Sequence, residues 1–178
     1  MPPSERDSLA VAIIGAATAR GLTIAVAESL TGGDLVSALV SVPGASAVVS
    51  GGVVAYNTAI KASVLGVDAA LLEREGAVHP EVALSMARGV RSALAIGTVP
   101  ASIGIATTGV AGPEPQDGRA VGLVYVAVVD ADGGVVHEHC FAGDRQQIRA
   151  QATLAALSLT ASRPVFAQVE HDQGLPAE

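Results

Sequence analysis

A chain of 178 residues is long enough for one domain with a sizeable core. Its formal net charge of −7, its pI near 5.0 and the lack of any Lys/Arg-rich segment argue against a general nucleic-acid binder. The single cysteine, Cys140, excludes an intrachain disulfide and a thiolate metal cluster, and no stretch is long and apolar enough to span a bilayer.

Half of the residues are hydrophobic, yet there are only two Phe, two Tyr and no Trp. The core must therefore be Ala, Val, Leu and Ile, which suits a largely parallel sheet covered by helices. Residues 4–20 read as the first helix, with Ser4 as its cap and Gly21 beyond its end. Its apolar part mimics the core of a secretory signal. The preceding Glu5-Arg6-Asp7 is not the basic segment such a leader needs, so a cytoplasmic location is expected.

Residues 23–27 form a short β-branched and apolar run, followed by Glu28-Ser29-Leu30-Thr31-Gly32-Gly33 and a helix over 34–40. A strand that enters a small, polar, glycine-rich turn before a helix sets side-chain hydroxyls beside free backbone N–H groups. Those groups favour a phosphate or a developing oxyanion. An ordinary βα loop, in which Gly and Thr merely cap the helix, has the same composition. The second strand is expected over 47–55, where Gly51-Gly52 marks a bulge or a close backbone approach.

A short helix starts at Asn57-Thr58-Ala59-Ile60-Lys61, which brings Tyr56 and Lys61 about one turn apart. Lys61 stands among Ile60, Ala62 and Val64. A lysine in apolar surroundings loses affinity for its proton and becomes a usable base, whereas a solvated one does not. Helices follow over 69–73 and 80–94, with His79 at the entrance of the second.

Residues 101–107 read as a buried strand that ends in Thr108-Gly109-Val110-Ala111-Gly112-Pro113, again hydroxyls and glycines at a strand exit. Ligands of open α/β sheets lie outside the carboxyl ends of the strands, and two such ends reinforce each other. Residues 114–119 form a polar, proline-containing flank. A hairpin over 122–130 and 135–141 makes the sheet mixed. His137 and His139 alternate on its second strand without the further ligands a metal needs. The last helix, 146–161, opens at Gly143-Asp144-Arg145, where Arg145 either pairs with an anion or is a surface arginine. One domain over 1–162 and a loosely held tail over 163–178 are expected.

Taken in order, Ala27-Glu28-Ser29-Leu30-Thr31-Gly32-Gly33, Val42-Pro43-Gly44-Ala45-Ser46, Tyr56-Asn57-Thr58-Ala59-Ile60-Lys61, Glu75-Gly76-Ala77-Val78, Thr108-Gly109-Val110-Ala111-Gly112-Pro113 and Gly143-Asp144-Arg145 resemble the CinA C-terminal family. That family includes stand-alone nicotinamide-nucleotide amidases, and the resemblance covers nearly the whole chain. It implies a three-layer α/β/α sandwich with a mixed, mostly parallel sheet. It also implies hydrolysis of the carboxamide of nicotinamide mononucleotide to nicotinate mononucleotide and ammonia. In this scheme Ser29 is the nucleophile, with Tyr56 and Lys61 as its catalytic partners. Larger relatives add an N-terminal domain resembling molybdopterin-binding proteins; this sequence does not contain it, and the associated pyrophosphatase activity is not expected. Leu30 stands where many relatives have Cys, and Leu123 where Thr is common.

The expected chemistry has neutral Lys61 taking the Ser29 proton as Oγ attacks the amide carbon, with Tyr56 relaying that proton or orienting the lysine. Backbone amides from Leu30 to Gly33, a stretch that includes Thr31 and Gly32, hold the oxyanion. Thr108, Gly109 and Arg145 take the 5′-phosphate, and Glu28 bonds a ribose hydroxyl or positions Lys61 or a loop N–H. No metal or redox cofactor is called for, the only ligand expected is the nucleotide, and a homo-oligomer, favoured as a dimer, is expected. The competing reading is a non-catalytic nucleotide-binding or interaction module of the same fold. An amidase for another pyridine or ribosyl amide is a third.

Overall fold

The computed structural model describes residues 3–166. Its first helix, α1 (Glu5–Arg20), starts from a reciprocal cap: Ser4 accepts from the Asp7 amide while the Asp7 side chain accepts from the Ser4 amide. Gly21 closes the helix in the left-handed region, at φ 63°. Then come β1 (Ile24–Glu28), α2 (Asp34–Val40), β2 (Val49–Val54), α3 (Thr58–Ser63), α4 (Ala69–Glu75) and α5 (Pro80–Ala93). The chain continues with β3 (Ile103–Gly109), β4 (Leu123–Asp130), β5 (Gly133–Cys140) and α6 (Arg145–Ala161). The expected elements are all present, with ends displaced by a few residues. The hairpin turn is tighter than expected: Gly133 and Gly134 already pair with β4, leaving Ala131-Asp132 as the turn.

The five strands lie in the order β2-β1-β3-β4-β5. β1 pairs in parallel with β2 and β3, whereas β4 runs antiparallel to both β3 and β5. The sheet is thus mixed, with β4 alone reversed. Parallel strands buried on both faces need continuous apolar runs, and β1 is buried at every position. On one face α1, α2 and α6 enclose Ile13, Leu35, Leu39, Ile105, Ile148 and Leu157. On the other, α4 and α5 enclose Leu71, Val82, Met86, Val90, Ala106 and Tyr125. Each such Val, Leu or Ile contributes about 1.5–3 kcal/mol by leaving water.

Both readings of Gly51-Gly52 apply. The β1–β2 register skips a residue before Gly51. A Cβ at Gly52 would press on Val36 of α2, 3.0 Å away. The loose tail does not begin at residue 163. Arg163 grips Asp130 with two hydrogen bonds, at 2.8 and 3.0 Å, and Phe166 is buried against α1 and its neighbours. A paired charge and a buried ring hold these residues; residues 167–178 of the expected tail lie outside the described residues. Among the described residues no helix is long and apolar enough to cross a membrane.

Candidate active site

Because β1, β2 and β3 are parallel neighbours, their carboxyl ends open along one edge of the sheet. Ser29 leaves β1 with its amide bonded to the Thr107 carbonyl of β3 at 3.0 Å. After β2, Asn57 caps the next helix by accepting from the Ala59 amide, and α3 is then only long enough to turn Lys61 inward. Lys61 Nζ lies 3.1 Å from Ser29 Oγ and donates to the Ala55 carbonyl at 2.6 Å.

The lysine is 1% exposed, and no carboxylate pairs with it among the described residues. A cation withdrawn from water without a counter-charge is penalised, and burial lowers its pKa from 10.5 to about 8. Once neutral, the amine can keep its bond to Ala55 and turn its lone pair to the serine hydroxyl. This is the geometry of a base beside a nucleophile.

Around this pair is a cavity of about 160 Å³ that Tyr56, Thr108, Gly109 and Arg145 also line. Sequence reasoning missed Glu114 and Gln116, which line it from the loop after Pro113. Their position beyond the carboxyl end of β3 was the available signal. Tyr56 is 60% exposed, and its hydroxyl accepts from Arg145 at 2.8 Å. Arg145 is anchored in turn on the Gly112 carbonyl at 2.7 Å. No hydrogen bond joins Tyr56 to Lys61 among the described residues, so the direct proton relay is not formed in this arrangement.

Four expected ligand contacts do not reach the cavity lining: Glu28, Thr31, Gly32 and Gly33. The Glu28 carboxylate is fully buried and accepts from the amides of Gly33, Leu35 and Val36 at 2.8–3.1 Å. It caps the start of α2, where Gly33 has no side chain to do so. Of its three expected roles, holding loop N–H groups is the one observed. Thr31 is fully buried, with its hydroxyl 2.8 Å from that of Thr107.

The Gly32 amide donates to the Ser29 carbonyl at 3.2 Å, and that of Gly33 is held by Glu28. Among the described residues this leaves the amides of Leu30 and Thr31 without a protein acceptor. Thr108 does line the cavity, but its hydroxyl proton is committed to the Ala77 carbonyl at 2.7 Å. Leu30 lines the cavity as well, whereas Leu123 does not. No cluster of three or more metal-ligating side chains occurs among the described residues.

Residues 6–163 match the CinA C-terminal domain. The chain belongs to that family. A CinA-like protein of Frankia casuarinae is 48% identical over 153 residues, which is 86% of this chain and 34% of that protein. Another CinA-like protein, from an Anaeromyxobacter strain, is 42% identical over 86% of this chain and 37% of its own length. The chain thus spans about a third of the length of the curated CinA relatives it matches.

Among solved structures, the competence/damage inducible protein CihA of Agrobacterium tumefaciens superposes with a TM-score of 0.81 at 35% identity, over 89% of this chain and 95% of that one. A competence or damage-inducible protein of Enterobacter asburiae gives 0.82 at 31% identity, over 89% and 98%. The expected family and the α/β architecture are both borne out.

Proposed function

We propose that this CinA-family chain is an amidase that hydrolyses the carboxamide of nicotinamide mononucleotide to nicotinate mononucleotide and ammonia. The observation that supports it most is the buried, unpaired Lys61 amine at 3.1 Å from Ser29 Oγ, at the mouth of three parallel strands. In this reading the Ser29 hydroxyl passes its proton to neutral Lys61 as Oγ bonds to the amide carbon. The amide oxygen takes up the negative charge and is met by the unbonded amide of Leu30, which lines the cavity. Collapse breaks the C–N bond, and the protonated lysine returns its proton to the departing ammonia. Lys61 then draws a proton from water as the water oxygen attacks the acyl ester. Collapse breaks the C–Oγ bond, Lys61 returns that proton to Ser29 Oγ, and the acid leaves as its carboxylate, losing its own proton to solvent.

Arg145 sits at the rim with Tyr56, suited to an anionic group outside the cavity; the nucleotide's phosphate fits that place. Tyr56 acts through Arg145 rather than on the proton, and Thr108 contributes its shape rather than a hydroxyl proton.

Ammonia release from nicotinamide, its riboside and its mononucleotide, measured on wild type and Ser29→Ala, tests this reading. Turnover should be fastest with the mononucleotide and fall on the order of 10⁴-fold or more in Ser29→Ala, with binding retained. Tight binding without turnover by wild type would instead make the chain a nucleotide-binding module. Equal rates with riboside and mononucleotide would remove the phosphate role from Arg145.

A further inference from the structure

One turn beyond Arg145 on α6, Arg149 points at the back of the nucleophile turn. Its Nε donates to the Leu30 carbonyl at 3.0 Å and its terminal nitrogen to the Thr31 carbonyl at 2.7 Å. That nitrogen is also 3.0 Å from the Asp34 carboxylate, which steadies the guanidinium at the start of α2. Arg149 does not line the cavity and touches the turn through its carbonyls. Gly32 lets it come close: φ there is 63°, and a Cβ would stand 3.4 Å from the same nitrogen.

Peptide planarity turns these contacts into a constraint. Carbonyl and N–H of one trans peptide point in opposite directions. A Leu30 carbonyl held towards Arg149 therefore sends the Thr31 N–H the other way, away from α6. A Thr31 carbonyl held the same way sends the Gly32 N–H back, where it donates to the Ser29 carbonyl at 3.2 Å. The guanidinium thus fixes two successive peptide planes, Leu30–Thr31 and Thr31–Gly32, just beyond the one that follows Ser29.

We infer that Arg149 is a positioning residue for acyl transfer: it locks the turn from Ser29 to Gly32 so that the Ser29 hydroxyl and the free Leu30 amide keep their reacting geometry. The inference rests on the reading of Ser29 as an acyl-transfer nucleophile, but not on the identity of the amide.

The test pairs steady-state kinetics on nicotinamide mononucleotide with the rate at which a fluorophosphonate labels Ser29. It is run on wild type, Arg149→Ala and Arg149→Lys, with thermal melts to establish that each is folded. Arg149→Ala should lose about 10²-fold in kcat while KM moves little, since misplacement by about 1 Å costs that much. Labelling should slow in parallel, and added ethylguanidinium should restore part of both rates. Arg149→Lys should fall between, because an ammonium cannot serve three acceptors in a fixed fork.

Unchanged kcat and labelling in folded Arg149→Ala overturn the inference; if that variant does not fold, wild-type rates in Arg149→Lys do the same. Slowed labelling in the variants, with no ammonia released by wild type, leaves Arg149 in its role and removes only the proposed substrate. A wild-type Ser29 that takes no label removes both.

Discussion

Two ionisable side chains are buried at opposite ends of the sheet, and they are treated in opposite ways. At the carboxyl ends of β1–β3, Lys61 has a serine hydroxyl and a carbonyl beside it but no carboxylate. At the far end of β4, Asp130 accepts from two N–H groups along one edge of the Arg163 guanidinium and from the Asp132 amide. Burial without a partner lowers the lysine's pKa towards neutrality, to about 8. The arginine's hydrogen bonds hold Asp130 below the usual carboxylate range, so its charge is secured. The amine proposed as the base is left uncompensated, while the carboxylate that anchors the chain after α6 is compensated.

Removing the uncompensated amine should have the largest effect. Lys61→Ala is expected to lower kcat on the order of 10³- to 10⁴-fold, the upper range for a general base, with substrate affinity little changed. A loss below tenfold in the ammonia assay would move the base elsewhere. Next comes the pH dependence, whose sign follows from which form acts. Below about 8 Lys61 is protonated and has no lone pair for the serine proton. The rate should therefore fall about tenfold per pH unit on the acid side of about 8 and level off above it. A limb placed near 10.5, the value of a solvated lysine, would contradict the role of burial.

Asp130 offers the contrasting stability test. Arg163→Ala leaves an almost fully buried carboxylate without its ion pair and should destabilise the fold by roughly 3 kcal/mol, within the range for broken buried pairs. For a carboxylate whose folded pKa is depressed, the stabilisation is present above its unfolded value and is lost as pH falls through the folded one. Denaturant titrations should thus show the difference between wild type and Arg163→Ala shrinking as the solution is acidified. A constant difference would place the Arg163 contribution in packing instead.

How far these sites were legible differs for the same reason. The strand exits at Ser29 and Thr108 announced themselves through local chemistry, whereas the apolar neighbours of Lys61 left it open between a base and a solvated surface lysine. Which donors stay free was not legible, because it depends on contacts that only the folded turns and helices make. Glu28 meets α2 through three amides, Thr108 meets Ala77, and Arg149 reaches the Ser29 turn from α6. Asp130–Arg163 was equally hidden: the arginine opens a segment of polar, tail-like composition, and only the fold brings it beside β4. Strand order was readable in part. Apolar runs foretold the parallel centre and the glycine-rich hairpin foretold the reversed strand, but neither placed β1 between β2 and β3.

The smallest effect has the opposite sign and gives the comparison its sharpest form. Lowering a buried lysine's pKa from 10.5 to about 8 costs the folded state roughly 3 kcal/mol wherever both forms would otherwise be protonated. Lys61→Met keeps the stem in place and removes that cost, while leaving the Ala55 carbonyl short of one donor at about 1 kcal/mol. The methionine variant should therefore be about 2 kcal/mol more stable than wild type near pH 7. The unfolded chain holds the lysine proton more tightly than the folded one, so wild-type stability rises with pH between about 8 and 10.5. Over that interval wild type should overtake the methionine variant. Parallel curves across that interval would mean that Lys61 titrates alike in both states and has no depressed pKa to explain its reactivity.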